Sequence, residues 1–144
     1  MSRNNMTRDE LVKFIKNESP NEIIVQNQSF VHEKLGFLDL SNIEFINCEF
    51  NNCSFTHCDL SHAVFKKSKI SFCGFNFANC SSVNFINTEV CGVSFYHANL
   101  MYSEFKKSDL MGDIYIKNAA IGYSDFENID KSKLISENPL MLYD

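Results

Sequence analysis

From Leu40 to Tyr115 every fifth residue is bulky and apolar, with Cys80 the one exception. The series is Leu40, Phe45, Phe50, Phe55, Leu60, Phe65, Ile70, Phe75, Cys80, Phe85, Val90, Phe95, Leu100, Phe105, Leu110, Tyr115. Helices repeat every 3.6 residues and strands every 2.0, so neither accounts for a period of five. A fixed short period marks a solenoid, whose repeats bury their apolar residues only against neighbouring turns. Two positions before most centres stands a small residue, as at Cys48, Cys53, Cys58, Ala63, Ser68, Cys73, Ala78, Thr88, Ala98, Ser103 and Ser108. Large centres beside small partners are what a narrow interior needs for its side chains to interdigitate.

Units such as Cys58-Asp59-Leu60-Ser61-His62 and Ala98-Asn99-Leu100-Met101-Tyr102 resemble the pentapeptide-repeat family. Its motif runs small residue, Asp or Asn, Leu or Phe, then two variable positions. The resemblance covers about two-thirds of the chain. It implies an all-β fold, a right-handed quadrilateral β-helix in which four pentapeptides make one square coil of twenty residues. Positions twenty apart agree with that coil. Phe45, Phe65, Phe85 and Phe105 form one column, and Phe55, Phe75, Phe95 and Tyr115 another. Phe50, Ile70, Val90 and Leu110 form a third, and Leu40, Leu60, Cys80 and Leu100 the fourth. At an offset of forty, Phe65-Lys66-Lys67-Ser68 repeats identically as Phe105-Lys106-Lys107-Ser108. Cys80 under-fills its column. After Tyr115 the phase slips by one, to Ile116, Ile121 and Phe126, as one inserted residue would cause. Fewer than five coils are expected, a rod roughly 20–25 Å long at the usual inter-strand spacing.

The flanks read differently. Thr7 with Glu10 forms a capping box, and Leu11, Phe14 and Ile15 share one face, predicting a short amphipathic helix that Ser19-Pro20 ends. Ile23-Ile24-Val25 is strand-like, and Phe30 and Leu35 already hold the five-residue phase. Residues 1–35 are therefore expected to form an N-terminal helix with a cap and lead-in segment, residues 36–130 the β-helix, and residues 131–144 a C-terminal cap or dimerisation tail. Rod ends are open backbone edges that need covering. The helix is the candidate cap at one end. At the other, Leu134-Ile135 and Pro139-Leu140-Met141-Leu142-Tyr143 would either cap the last coil or form the seam of a homodimer.

Composition narrows the functional classes. A net charge of −5 disfavours direct nucleic-acid binding. No run of 18 apolar residues spans a membrane, and the start of the chain lacks the apolar core of a signal peptide, so a cytoplasmic protein is expected. The six cysteines sit on the repeat lattice and read as reduced, small core fillers. Their C-x4-C-x4-C spacing does not resemble a zinc site. Cys53 and Cys73 stack in adjacent coils, but with parallel Cβ vectors unsuited to a disulfide. His57 and His97 share an outward column with Phe77 between them, too far apart to hold a metal together. No catalytic motif is present, so no enzyme activity, cofactor or metal is expected.

Function must then lie on the outward positions. Asp39, Glu49, Asp59 and Glu89 carry part of the acid immediately before the centres, and Phe72, Phe77 and Tyr96 are apolar at variable positions. The aromatics form a partner-binding patch or else fold over the corners. Several pentapeptide-repeat proteins resemble a DNA duplex in size and charge and bind DNA gyrase or topoisomerase IV, protecting it from quinolones or toxins. The resemblance makes that DNA mimicry one expectation here. Residues 36–115 hold eight acids and five lysines, a net of −3, with Lys69 between Glu49 and Glu89 and a basic strip at Lys66-Lys67 and Lys106-Lys107. The leading expectation is a protein–protein interaction module. A topoisomerase-binding DNA mimic is the alternative, and the recognition part of a translocated bacterial effector is a further one.

Overall fold

The computed structural model describes residues 2–19, 21–127 and 134–135, which build the expected quadrilateral parallel β-helix with one short helix before it. Two of the four faces carry regular strands. The first sheet stacks β1 (Asn4–Asn5), β3 (Gln28–Val31), β5 (Glu49–Asn51), β7 (Lys69–Ser71), β9 (Glu89–Cys91) and β11 (Asp109–Met111). The second stacks β2 (Ile24–Gln26), β4 (Glu44–Ile46), β6 (Val64–Lys66), β8 (Asn84–Ile86) and β10 (Glu104–Lys106). From β2 and β3 to β10 and β11 the strand pairings keep the twenty-residue register, as in Phe45 with Phe65 and Phe85 with Phe105, whereas β1 meets β3 at twenty-four. The rod is longer than its repeats alone suggest, because β1 and the strands before Leu38 add rungs at the start.

The third and fourth faces carry single bridges at each coil, Lys34, Ser54, Gly74 and Ser94 on the third and Asp39, Asp59, Asn79 and Asn99 on the fourth. Each is followed by a turn in which the amide three residues beyond the centre returns to the centre's carbonyl, as Cys58 N–H does to Phe55 and Ala63 N–H to Leu60. The third residue of each turn has positive φ, the type II pattern. On the turn faces, Asp, Asn or Ser before the centre accepts the amide two residues on. Residue type alone does not set the face, since Asn84 and Asp109 stand before centres in β8 and β11, and Lys34 and Gly74 on the third face. Asp39 Oδ1 takes Ser41 N–H at 3.1 Å, Asp59 Oδ1 takes Ser61 N–H at 3.0 Å and Asn99 Oδ1 takes Met101 N–H at 3.0 Å.

The centres are buried as expected from Leu40 to Leu100, and Phe105 and Leu110 in the last coil are half-buried. Rings stack down the columns and meet edge-to-face across them. Phe65 and Phe85 lie 5.2 Å apart at 9°, while Phe45 meets Phe50 at 5.0 Å and 88°. Both arrangements suit the aromatic quadrupole. Tyr115 is a correction: it bridges Ser94, and its carbonyl accepts Phe95 N–H at 2.7 Å. It therefore stands before a centre, and Ile116 takes the column place below Phe95. The inserted residue lies between Met111, still in twenty-residue register with Cys91, and Tyr115, at twenty-one from Ser94. Around Cys80 the backbone keeps the common spacing, with Leu60 N–H to Asn79 and Cys80 N–H to Asn99 both at 2.7 Å.

The small partners also bond. Cys58 Sγ donates to Leu35 O at 2.9 Å, Thr88 Oγ1 to Phe65 O at 2.9 Å and Ser108 Oγ to Phe85 O at 2.9 Å, each reaching a centre's carbonyl in the preceding coil. Hydroxyls between the second and first sheets accept as well: Cys48 N–H bonds Ser68 Oγ and Ser68 N–H bonds Thr88 Oγ1. All six cysteines are free thiols. Burial pushes the Cys48 and Cys58 thiols up to about 11, and Cys80 higher still. The Cys73 thiol, by hydrogen bond, pulls Cys53 below the usual value instead, so its protection rests on burial alone, which all five share, and an inaccessible thiol does not react. Iodoacetamide is therefore expected to label Cys91 in the native protein and spare the other five until unfolding, which mass spectrometry of labelled peptides reads directly.

At the start of the rod, α1 (Arg8–Asn17) begins at the predicted Thr7–Glu10 capping box. Leu11 is fully buried in the same core cluster as Val25, Phe30 and Leu35. Arg8 Nη1 donates to Lys34 O at 2.8 Å and Gly36 O at 2.9 Å, and Arg3 donates to Asn47 and Glu49. At the other end, β12 (Ile114–Tyr115) pairs with β13 (Leu134–Ile135). The apolar tail at Pro139–Tyr143 lies outside the described residues.

Candidate interaction surface

Every residue two beyond a centre sits at a corner with φ between +48° and +66°. Asn and Gly tolerate this region, and the chain uses them at Asn27, Asn42, Asn47, Asn52, Asn87, Gly92, Gly112 and Asn118. Bulky side chains are strained there. Even so, Phe37, Phe72, Phe77, Tyr102 and Tyr123 occupy such corners, and all are exposed, Phe37 by 77%.

Four corner residues on the third face form a continuous ring ladder. Phe37 stacks on His57 at 4.9 Å, His57 on Phe77 at 5.0 Å and Phe77 on His97 at 5.0 Å, all within 16° of parallel. His97 Nε2 lies 3.0 Å from Asn118 Nδ2, which ties the last ring of the ladder to the next corner. Tyr96 packs edge-on against both Phe77 and His97. The twenty-residue coil makes this ladder, because it sets equivalent corners one inter-strand spacing apart. Phe72, on the preceding corner of the same coil as Phe77, lies over Gly92, where an added Cβ would meet its ring at 3.0 Å. Thus Phe72 folds over its own corner, whereas Phe77 and Tyr96 belong to the ladder.

The four acids singled out from sequence do not form one field. Asp39 and Asp59 close turns on the fourth face, their Oδ1 atoms also taking the Ser41 and Ser61 hydroxyls at 2.6 and 2.7 Å. Glu49 is on the first sheet, paired to Arg3 at 3.1 Å. Glu89 is exposed on that sheet, in register with Lys69 and Asp109. In the basic strip, Lys106 pairs with Glu104 at 3.0 Å.

The third face differs in charge. Before its centres stand Lys34, Ser54, Gly74, Ser94 and Tyr115, and after them Gly36, Thr56, Asn76, Tyr96 and Lys117. None is acidic, in a chain of net charge −5. A shallow groove lined by Arg8, Lys34, Gly36, Phe37, Ser54 and Thr56 opens at its first coil. Among the described residues, no group of His, Cys, Asp and Glu could hold a metal ion, and no helix is long and apolar enough to cross a membrane. The sequence reading placed His57, Phe77 and His97 in one column but missed Phe37, which precedes the regular series. Its signal was the same five-residue phase, through Leu35.

Residues 38–126, more than half of the chain, match the family model described as a pentapeptide repeat region. The chain belongs to the pentapeptide-repeat family. No curated protein matches it by sequence. Among solved structures, this pentapeptide-repeat protein is similar to trypsin-treated QnrB1, a plasmid-mediated fluoroquinolone resistance protein, at 18% identity and a TM-score of 0.36. The match covers 80% of this chain and 62% of that one, so the chain spans less than two-thirds of the QnrB1 chain. It is also similar to Rfr23 from the cyanobacterium Cyanothece 51142, at 9% identity over 78% of this chain and 87% of that one, with a TM-score of 0.36. HetL from Nostoc sp. strain PCC 7120, involved in heterocyst differentiation regulation, is 10% identical over 83% of this chain and 92% of that one, with a TM-score of 0.25.

Proposed function

We propose that the chain is a non-enzymatic interaction module that docks a protein partner on its third face and the ring ladder beside it. The observation that carries this reading is the ladder. Phe37, His57, Phe77 and His97 stand at corners where Asn or Gly is the unstrained choice, and Phe37 and Phe77 remain exposed after stacking. Ring stacking contributes about 0.5–1.5 kcal/mol per pair and offsets part of the strain, but the core does not need these rings. Exposed aromatic side chains held rigidly on a flat support are what a binding hot spot requires.

DNA mimicry of a type II topoisomerase substrate is the competing reading. It needs acids that act together, whereas Asp39 and Asp59 are held in turns, Glu49 pairs with Arg3, and Glu89 neighbours Lys69. That distribution favours the ladder over the acids as the binding element. Recognition by a translocated effector would use the same surface. Residence in the cytoplasm, division at residues 35 and 130, and a homodimer through the tail belong to this proposal. A dimer seam would have to use tail residues beyond Leu134 and Ile135, which already pair with the last coil.

The test is in-cell cross-linking with the chain and its F37S/F77S/Y96S variant. The variant is expected to keep the thermal midpoint and lose the partner that the parent chain captures. Capture of the same partner by both would refute the docking surface. Purified gyrase, assayed for supercoiling with and without a quinolone, separates the readings: inhibition or drug protection that fades as salt rises would favour mimicry.

A further inference from the structure

We infer that the third face binds an extended acidic segment of its partner, about seven residues long, lying along the rod axis with a carboxylate toward each end. The inference rests on the docking surface proposed above and adds the chemistry of what docks there. Cations stand at both ends of this face, Arg8 and Lys34 at the first coil and Lys117 at the last, with no acid at its outward positions between them. Among the described residues none of the three pairs with a carboxylate side chain to side chain. Glu33, next to Lys34 in the chain, is turned to the helix, its Oε1 accepting Arg8 N–H at 3.0 Å. Four coil spacings separate Lys34 from Lys117, roughly 19 Å, which about six rises of 3.3 Å cover, so about seven residues reach from one end to the other with both end side chains on the same side.

The ladder favours the same ligand. Its rings already use their faces on each other, so what they present outward are their edges, and ring edges carry the positive end of the quadrupole. A carboxylate is attracted to such an edge. A single-stranded nucleic acid, the other anionic polymer, needs free ring faces for its bases to stack on. Within the ladder only the outer faces of its two end rings, Phe37 and His97, are not stacked on another ring. Gly74, Asn76 and Ser94 are buried in the middle of the face, so a docked segment rests on Ser54, Thr56 and Tyr96 and on the exposed ladder edges between the cations.

The test uses the full chain and two fluorescein-labelled heptapeptides, Glu-Ser-Val-Ser-Val-Ser-Glu, whose end residues share one side of an extended strand, and its counterpart with Gln at both ends. Fluorescence anisotropy gives affinity, and amide shifts of the 15N-labelled protein locate the site. The Glu peptide is expected to bind at least tenfold more tightly than the Gln peptide, to shift Ser54, Thr56 and Tyr96, and to weaken at least fivefold in a K34Q/K117Q variant. Binding that is equal for both peptides, located on this face and lost in F77S, would overturn the acidic segment and leave the docking surface standing. Shifts on another face would overturn both. No binding of the Glu peptide at millimolar protein would overturn the acidic segment alone.

Discussion

Phe85→Ala is expected to lower the free energy of unfolding by ~3–5 kcal/mol, the range for emptying a fully buried aromatic site. Phe85 has no exposed surface and is stacked between Phe65 at 5.2 Å and Phe105 at 4.6 Å. The lost ring leaves a cavity that cannot collapse. Coil spacing is set by the backbone ladder around the site, in which Phe85 is registered with Phe65 on one side and Phe105 on the other. The small partner Thr88 cannot swing in either, because its hydroxyl is bonded to Phe65 O and Ile86 O. The value should therefore fall toward the upper end of the range. Phe105→Ala is expected to cost less, since Phe105 is already half-exposed in the last coil. Urea unfolding of both variants, analysed at constant slope, gives the two numbers. A cost under about 1 kcal/mol for Phe85→Ala would mean that the columns are wrongly assigned.

The columns were legible because side-chain volume is the one demand that all four faces share. Phe, Leu, Ile or Val at every fifth position, with Cys, Ala, Ser or Thr two before, is visible without knowing how any face is hydrogen-bonded. The outward acids do not share one role. Asp39 and Asp59 reach the amide two residues on and close a turn, whereas Glu49 and Glu89 stand in strands. Side-chain length alone does not foretell this, because Asp109 and Asn84 also stand in strands. The cysteines were read as volume alone, and the thiol's donor role at Cys58 depends on a carbonyl twenty-three residues earlier. Tyr115 was placed one position wrong because an insertion is not located by periodicity until several later centres fix the new phase.

The candidate surface was legible in part for the same reason. A twenty-residue column is enough to place His57, Phe77 and His97 together. That Phe72 would lie down over its corner and Phe77 stand in a stack was not, because it depends on the next residue in each column. Gly92 leaves the Phe72 ring a place to lie, and His97 offers the Phe77 ring a partner. Neither consequence follows from exposure or hydropathy alone.

Leu11→Asp is expected to uncap the rod and make that end self-associating. Leu11 is the fully buried residue of α1, and Phe14 and Ile15 are only partly covered. A carboxylate at its position has no cation among the buried neighbours, and an unpaired charge in that setting costs about 3–5 kcal/mol. The helix has weaker holds than that, mainly Arg8 Nη1 on two carbonyls and the Arg8 amide on Glu33, so it should detach before the coils unfold. Detachment uncovers Val25, Phe30 and Leu35 together with the edge of β2, which no strand covers. An apolar surface beside an open parallel edge is a template for another chain. Sedimentation at increasing concentration should show association of the variant, and hydrogen exchange should show lost protection in α1 with β7 and β9 unchanged. Leu11→Met keeps the volume and the apolar contact and should remain as the parent, within about 1.5 kcal/mol. A Leu11→Asp chain that stays at its parent's size with α1 protected would show that the first coil closes without the helix. The cap would then have to be assigned to β1 and the Arg3 contacts to Asn47 and Glu49.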